Sequence, residues 1–249
     1  MVFYQEHNLK FKTLLLLITS LFCQLAFSAD ATEIYKSAMK KSAAPIVDYS
    51  SSCTTCLEAN LAKPKVKLES KENNQSIDLT LLSEKEAQNL FKEMAANKDI
   101  PFDFPFDGCY ARAHTMTQIM EKKGIISGKA WVEGNLNVTS AEWGEVQWRY
   151  HVAPVVMVKV GNKNVPYVID PSIMDKPVPF ETWKNKMTSS KGSSKSSEYF
   201  TSRFNYDPDE KDMKKTAYDD ELIEDAIQTN QHYKQILEQA RLEKSKKAK

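Results

Sequence analysis

Cys109, His151 and Asp170 present a thiol, a base and a carboxylate in that order along the chain. Covalent acyl-transfer chemistry uses such a set as nucleophile, general base and orienter of the base. Asp107 and Gly108 turn the chain just before Cys109, and no Pro or Gly follows until Gly124. Ala113, Met116, Ile119 and Met120 recur at helical spacing in that interval, which predicts a helix starting at or near Cys109. The unpaired amides of a helix N-terminus favour negative charge on a sulfur placed there and can stabilise an oxyanion. His151 heads the apolar run Val152 to Val156, and Asp170 ends the next predicted strand. If those strands form a hairpin, the carboxylate lies beside the imidazole and can orient it. Taken singly, each residue also has a plain structural role: a small buried hydrophobe, a hydrogen-bonded strand histidine, an aspartate in a turn before proline. Their combination and order carry the expectation of catalysis.

Cysteine usage points the same way. Lys10 and Lys12 precede an apolar run from Leu14 to Phe27, and Ala26, Phe27 and Ser28 form a small-x-small cleavage signal. Residues 1–28 are therefore expected to be a signal peptide cleaved after Ser28, making the protein secreted or periplasmic. Cys23 leaves with that peptide, and three cysteines cannot all pair within one chain. Cys53 and Cys56 are close enough for a local structural disulfide, the expected state. A redox pair or half of a zinc site is the alternative, without further ligands evident nearby. Cys109 is then the lone thiol.

The elements around these residues read as follows. Ile34, Ala38 and Met39 suggest a short helix closed by Pro45, and a polar, lysine-rich stretch to about Ser76 reads as loosely structured. Ser83 and Glu86 have capping-box spacing, and Ala87, Leu90, Phe91 and Met94 share a face, so a helix is predicted from about Glu84 to Ala96. Ile100 to Phe106 is expected to be an extended apolar segment pinned into the core. Strands are predicted over Lys129 to Glu133, Trp148 to Val160 and Val165 to Ile169, the last two as an antiparallel hairpin turning through Gly161 and Asn162. Pro154 calls for an edge position, a bulge or a break. After Pro171 a loop-rich region is expected, with a mobile lysine and serine stretch from Ser189 to Ser197. Asp219 to Lys249 reads as one long helix with an apolar stripe of Leu222, Ala226, Tyr233, Ile236, Leu237 and Ala240 and a basic tail. Helix followed by strands, without alternating crossovers, favours an α+β fold. The organisation expected is a signal peptide over 1–28, an extension or propeptide over 29–83, a catalytic domain over 84–215 and a C-terminal helix over 216–249.

Three segments resemble known motifs: DGCYARAH from Asp107, WRYHVAPVV from Trp148 and YVIDPS from Tyr167. They are similar to the nucleophile, histidine and aspartate motifs of the bacterial protein-glutaminase family, over roughly Ile100 to Trp183. The resemblance implies a papain-like, transglutaminase-like core, with the nucleophile at a helix N-terminus packed on an antiparallel sheet. It further implies Cys109 as nucleophile, His151 as general base and acid, and Asp170 as the residue that positions His151. The implied reaction converts the side-chain amide of protein-bound glutamine to glutamate and ammonia through a thioester, with no metal and no cofactor. Glutamine-containing proteins or peptides are the expected substrates, and the chain is expected to act as a monomer. A known family member carries an inhibitory propeptide, which makes 29–83 a candidate regulatory segment. His114 is expected to be a packing residue, Asp107 a hydrogen-bonding group near the sulfur or a plain turn residue, and Trp143, Trp148 and Tyr110 either cleft lining or core.

Lys and Arg number 34 against 33 Asp and Glu, so a net charge of +1 selects neither nucleic acid nor an anionic membrane as partner. Beyond the signal peptide no stretch approaches the roughly 20 apolar residues a membrane span needs. Transglutaminase or cysteine protease activity from the same triad is the nearest alternative. A non-catalytic exported binding protein that presents its C-terminal helix is the alternative of another class.

Overall fold

His151 to Val158 are buried without a break because both faces of their strand are covered. Such a strand reads as a continuous apolar run rather than an alternating one. The computed structural model describes residues 54–247; the signal peptide, the helix expected near Ile34 and the Cys53 end of the Cys53–Cys56 pair lie outside the described residues. In chain order the elements are α1 (Thr54–Leu61), β1 (Lys65–Ser70), β2 (Gln75–Ser83), α2 (Glu84–Ala95), α3 (Cys109–Lys122), β3 (Gly128–Ser140), β4 (Gly144–Val160), β5 (Lys163–Val168), β6 (Val178–Pro179), α4 (Phe180–Thr188), β7 (Ser194–Ser202), a 3₁₀ turn (Pro208–Glu210) and α5 (Asp220–Lys247). The sheet runs β1-β2-β4-β3-β7, with β5 on the other edge of β4 and β6 beyond it. Pairing is antiparallel except between β2 and β4, where Leu81–Ser83 run parallel to Met157–Lys159 just past the end of β3. The fold is α+β, as expected.

One face of β4 contributes Ala153, Val155 and Met157 to a core completed by Phe180, Trp183 and Met187 of α4. The opposite face contributes Val156 and Val158, packed against Leu90, Phe91 and Met94 of α2 and Met116, Ile119 and Met120 of α3. Helix α2 begins with the expected capping box: Ser83 Oγ accepts from the Glu86 amide, and the Glu86 carboxylate accepts from the Ser83 amide. Helix α3 has no side-chain cap at Gly108. Burial of Met116, Ile119 and Met120, at about 1.5–3 kcal/mol per side chain, therefore does more to hold it than its N-terminus does. Its far end closes in a Schellman motif, with the Gly124 amide on the Glu121 carbonyl and the Ile125 amide on the Met120 carbonyl. Gly124, at φ 76°, supplies the left-handed residue that motif requires.

The stretch read as loosely structured up to Ser76 contains α1 and the start of the β1–β2 hairpin, whose strands join the sheet that carries the site. Its alternation is masked by polar residues on the exposed side of each strand, Lys67 and Glu69 in β1, Ser76 and Asp78 in β2. Strand β3 continues beyond Glu133 to Ser140, because register shifts around Gly134 carry it past the glycine that interrupts its alternation. The region after Pro171 holds β6, α4 and β7 rather than loop alone. Ser194 to Ser197, expected to be mobile, pair with Glu133 to Asn135 as part of β7. Pro154 causes neither bulge nor break. Lys129 to Ala130 pair in continuous register with Ala153 to Pro154, and the Pro154 carbonyl accepts the Ile169 amide at the point where β5 ends. Its missing N–H faces that same side, where no strand partner remains. The β4–β5 hairpin forms as predicted, with Val160 opposite Lys163.

The C-terminal stripe packs on the domain. Ala226 joins Ala111 and Tyr206 in a small core, and Asn230 donates to the Thr115 hydroxyl at 2.9 Å across the contact with α3.

Candidate active site

The structure brings the three sequence-predicted residues together. Cys109 is the first residue of α3, His151 lies in β4, and Asp170 follows Ile169, whose amide is tied to Pro154 three residues beyond His151. That backbone bond, continuing the β4–β5 register from Val155 opposite Val168, sets Asp170 beside the histidine. His151 Nε2 and Asp170 Oδ2 are 2.8 Å apart, and both side chains are almost wholly buried. Trp183 Nε1 donates to the same oxygen at 2.8 Å, while the Ser172 amide, at 3.1 Å, and the Ser172 hydroxyl donate to Oδ1. Both carboxylate oxygens are thus satisfied, as a buried charge requires.

The electrostatics follow from this geometry. Burial raises the Asp170 pKa, but the His151 charge and the hydrogen bonds from His151, Ser172 and Trp183 outweigh it and bring it to about 2. Burial likewise lowers the His151 pKa, and the Asp170 charge, its hydrogen bond and the neighbouring Cys109 side chain reverse this and raise it to about 9. The Asp170 partner thus favours the protonated ring. Its other nitrogen, Nδ1, makes no well-formed hydrogen bond, which is typical of a catalytic contact before substrate arrives. The ring is held between two indoles: Trp148 at 4.9 Å with planes 16° apart, and Trp183 at 5.5 Å and 30°.

The approach to Cys109 is built from an irregular segment whose carbonyls are taken up by side chains from the β3–β4 turn, from β4 and from α3. Trp143 Nε1 donates to the Asp103 carbonyl at 2.8 Å and Trp148 Nε1 to the Pro105 carbonyl at 2.7 Å. Arg112, one turn into α3 and 3% exposed, donates through Nη1 to the carbonyls of Phe104 at 3.0 Å and Asp107 at 2.7 Å. Phe102 and Phe104 are buried as expected, whereas Phe106 is exposed, edge-on to Trp143 at 5.5 Å. The first bond within α3 runs from the Arg112 amide to the Gly108 carbonyl, so the amides of Cys109, Tyr110 and Ala111 have no acceptor within the helix. They are available to a developing oxyanion.

Asp107 sits in the turn with its Oδ1 on the Gly108 amide, at 2.6 Å. His114 is a packing residue, fully buried, with Nδ1 2.9 Å from Lys129 Nζ. Burial and the Lys129 charge lower its pKa to about 2, so it stays neutral. Tyr110 packs edge-on against Tyr206. Sequence reasoning missed Arg112, Ser172, Trp183 and Tyr233. Ser172 lies inside the aspartate motif and Arg112 inside the nucleophile motif, so both were within reach of the sequence; Trp183 and Tyr233 act through contacts that spacing does not reveal. Among the described residues, no three His, Cys, Asp or Glu side chains converge to hold a metal ion.

An α+β core of the papain-like, transglutaminase-like kind, with a cysteine at a helix N-terminus facing a strand histidine, is the class to which this geometry belongs. The family described as Glutaminase matches residues 87–187. The NMR structure of protein-glutaminase from Chryseobacterium proteolyticum is 31% identical over 59% of this chain and 85% of that chain, with a TM-score of 0.50. A crystal structure of protein-glutaminase is 33% identical over 59% and 83% of the two chains, at a TM-score of 0.47. The crystal structure of a mutant pro-protein-glutaminase is 32% identical over 59% of this chain and 55% of that one, at 0.49. No protein of curated function matches the chain. The chain belongs to the protein-glutaminase family and is a hydrolase that deamidates protein-bound glutamine.

Proposed function

We propose that Cys109, His151 and Asp170 are the catalytic triad of this deamidase, on the observation that the buried His151 is held by Asp170 at 2.8 Å and interacts with the Cys109 side chain. The protonated ring pairs with the Cys109 thiolate. Sγ attacks the side-chain carboxamide carbon of a glutamine, a C–S bond forms, and the amide oxygen takes the negative charge. The Cys109 amide at the start of α3 stabilises that oxyanion. Collapse breaks the C–N bond, and the nitrogen leaves as ammonia with the proton from His151 Nδ1. Neutral His151 then takes a proton from water as the water attacks the thioester, and the thiolate departs, leaving glutamate. Asp170 keeps the ring oriented throughout and stabilises its charged form.

Export through the segment 1–28, with cleavage after Ser28, belongs to this proposal. No helix among the described residues is long and apolar enough to cross a membrane. A regulatory part of the extension expected over 29–83 would have to end before Lys65, since β1 and β2 are strands of the sheet itself. The catalytic domain expected over 84–215 then works together with these strands and with the C-terminal helix, as a monomer, without metal or cofactor.

The test is intact mass spectrometry of a glutamine-rich unfolded protein incubated with the mature chain and with Cys109→Ala. The expected result is a mass gain of about 1 Da per glutamine with ammonia release, absent in the variant, because the nucleophile is indispensable. Turnover retained by Cys109→Ala would sink the triad. Cross-linked or cleaved products would point instead to acyl transfer onto lysine or to proteolysis.

A further inference from the structure

Asp107 stands one residue before the helix N-cap, Gly108, and two before Cys109. An Asp side chain in that neighbourhood readily accepts from such amides, and negative charge is favoured there. If it did so here, it would occupy the donors that the oxyanion needs and place a charge where the oxyanion forms. The structure holds it elsewhere. Oδ1 is on the Gly108 amide, and Oδ2 accepts a hydrogen bond from the Tyr233 hydroxyl of α5 at 2.7 Å. The Tyr233 ring stacks on Phe104 at 4.6 Å, with planes 15° apart. Its edge also covers Gly108 so closely that a Cβ there would lie 2.7 Å from Tyr233 Cδ2. Gly108 has φ 78°, a left-handed conformation that aims the first amides of α3. Helix α5 therefore touches the residue before the nucleophile and the residue before that.

We propose that Tyr233 is a positioning residue for deamidation: it pins the Asp107 carboxylate away from the Cys109 amide and so keeps the oxyanion site open. The C-terminal helix is then part of the catalytic apparatus. Burial and the Asp107 charge raise the Tyr233 pKa, so the hydroxyl remains a donor across the working range of pH. The remainder of α5 fixes the ring: Asn230 on Thr115 on one side, and Arg241 on Asp103 at 2.8 Å and on Glu142 at 2.9 Å on the other. The inference rests on Cys109 as the nucleophile.

The test is Tyr233→Phe, which keeps the ring stack and the cover over Gly108 and removes only the hydroxyl. With a short glutamine peptide, kcat is expected to fall about ten-fold or more while KM holds, as small misplacements at a reacting centre do. Adding Asp107→Asn removes the charge but keeps an oxygen for the Gly108 amide. It is therefore expected to restore most of kcat, a rescue that a merely structural tyrosine would not show. Wild-type kcat in Tyr233→Phe overturns the proposal, and so does a further loss in the double variant. Cys109→Ala assayed alongside separates the two readings: dead Cys109→Ala with fully active Tyr233→Phe refutes the positioning role alone, whereas active Cys109→Ala refutes the triad.

Discussion

The indole of Trp148 lies face to face with the imidazole of His151, 4.9 Å between centroids, and its N–H holds the Pro105 carbonyl at 2.7 Å. One side chain thereby links His151 to the segment that leads into Cys109. Trp148→Phe keeps an aromatic ring for the stack and loses the N–H. It should lower kcat about ten-fold through displacement of the approach to Cys109. Steady-state kinetics decide the matter, and an unchanged kcat would show that the segment keeps its place without this bond.

Asp170→Asn tests the orienting role. The amide cannot serve as a charged acceptor for both His151 Nε2 and Trp183 Nε1, and it favours the wrong ring tautomer. A fall in kcat on the order of 10²–10⁴-fold is expected, as in other acyl-transfer triads. Equal rates for the two proteins would remove Asp170 from the mechanism.

The pKa shifts predict a pH profile. In the proposed mechanism His151 carries a proton to release ammonia, and its pKa is raised to about 9, so kcat/KM should decline as pH rises past that value. Stability has the same sign. The folded pKa of His151 lies above its ordinary 6.5, so its contribution is complete below about 6.5 and is lost as pH rises through about 9. Asp170 is shifted the other way, from 3.8 to about 2, so its contribution is complete above about 3.8 and lost as pH falls towards 2. Melting temperature followed against pH, in wild type and Asp170→Asn, should show both limbs in the first and weakened limbs in the second. Parallel curves would contradict the linkage.

Arg112→Met preserves much of the side-chain volume but strips the donor from the Phe104 and Asp107 carbonyls. Leaving one buried and one part-buried acceptor unpaired should lower stability by about 1–3 kcal/mol, read from chemical denaturation. A loss under about 1 kcal/mol would mean that the segment relaxes to find other partners.

The local parts of the site were legible because they depend on neighbours in sequence. Helix α3 shows in the glycine-free spacing of Ala113, Met116, Ile119 and Met120, and the β4–β5 hairpin shows in Gly161 and Asn162 between two β-branched runs. Cys109 at a helix start and Asp170 at the end of the strand after His151 follow from those elements alone. The order of Cys109, His151 and Asp170 and their places in these elements were therefore set by sequence. The remaining features come from residues far apart in the chain. The Ile169 amide on the Pro154 carbonyl, Trp183 on Asp170, and Tyr233 on Asp107 across 126 positions have no periodic signature. Strands β1, β2 and β7 were hidden because their exposed faces carry lysine, glutamate and serine, so composition outweighed alternation. Sequence determined which groups could react; tertiary packing decided the distance between them, because burial and long-range hydrogen bonds are what orient a histidine towards one sulfur and one carboxylate.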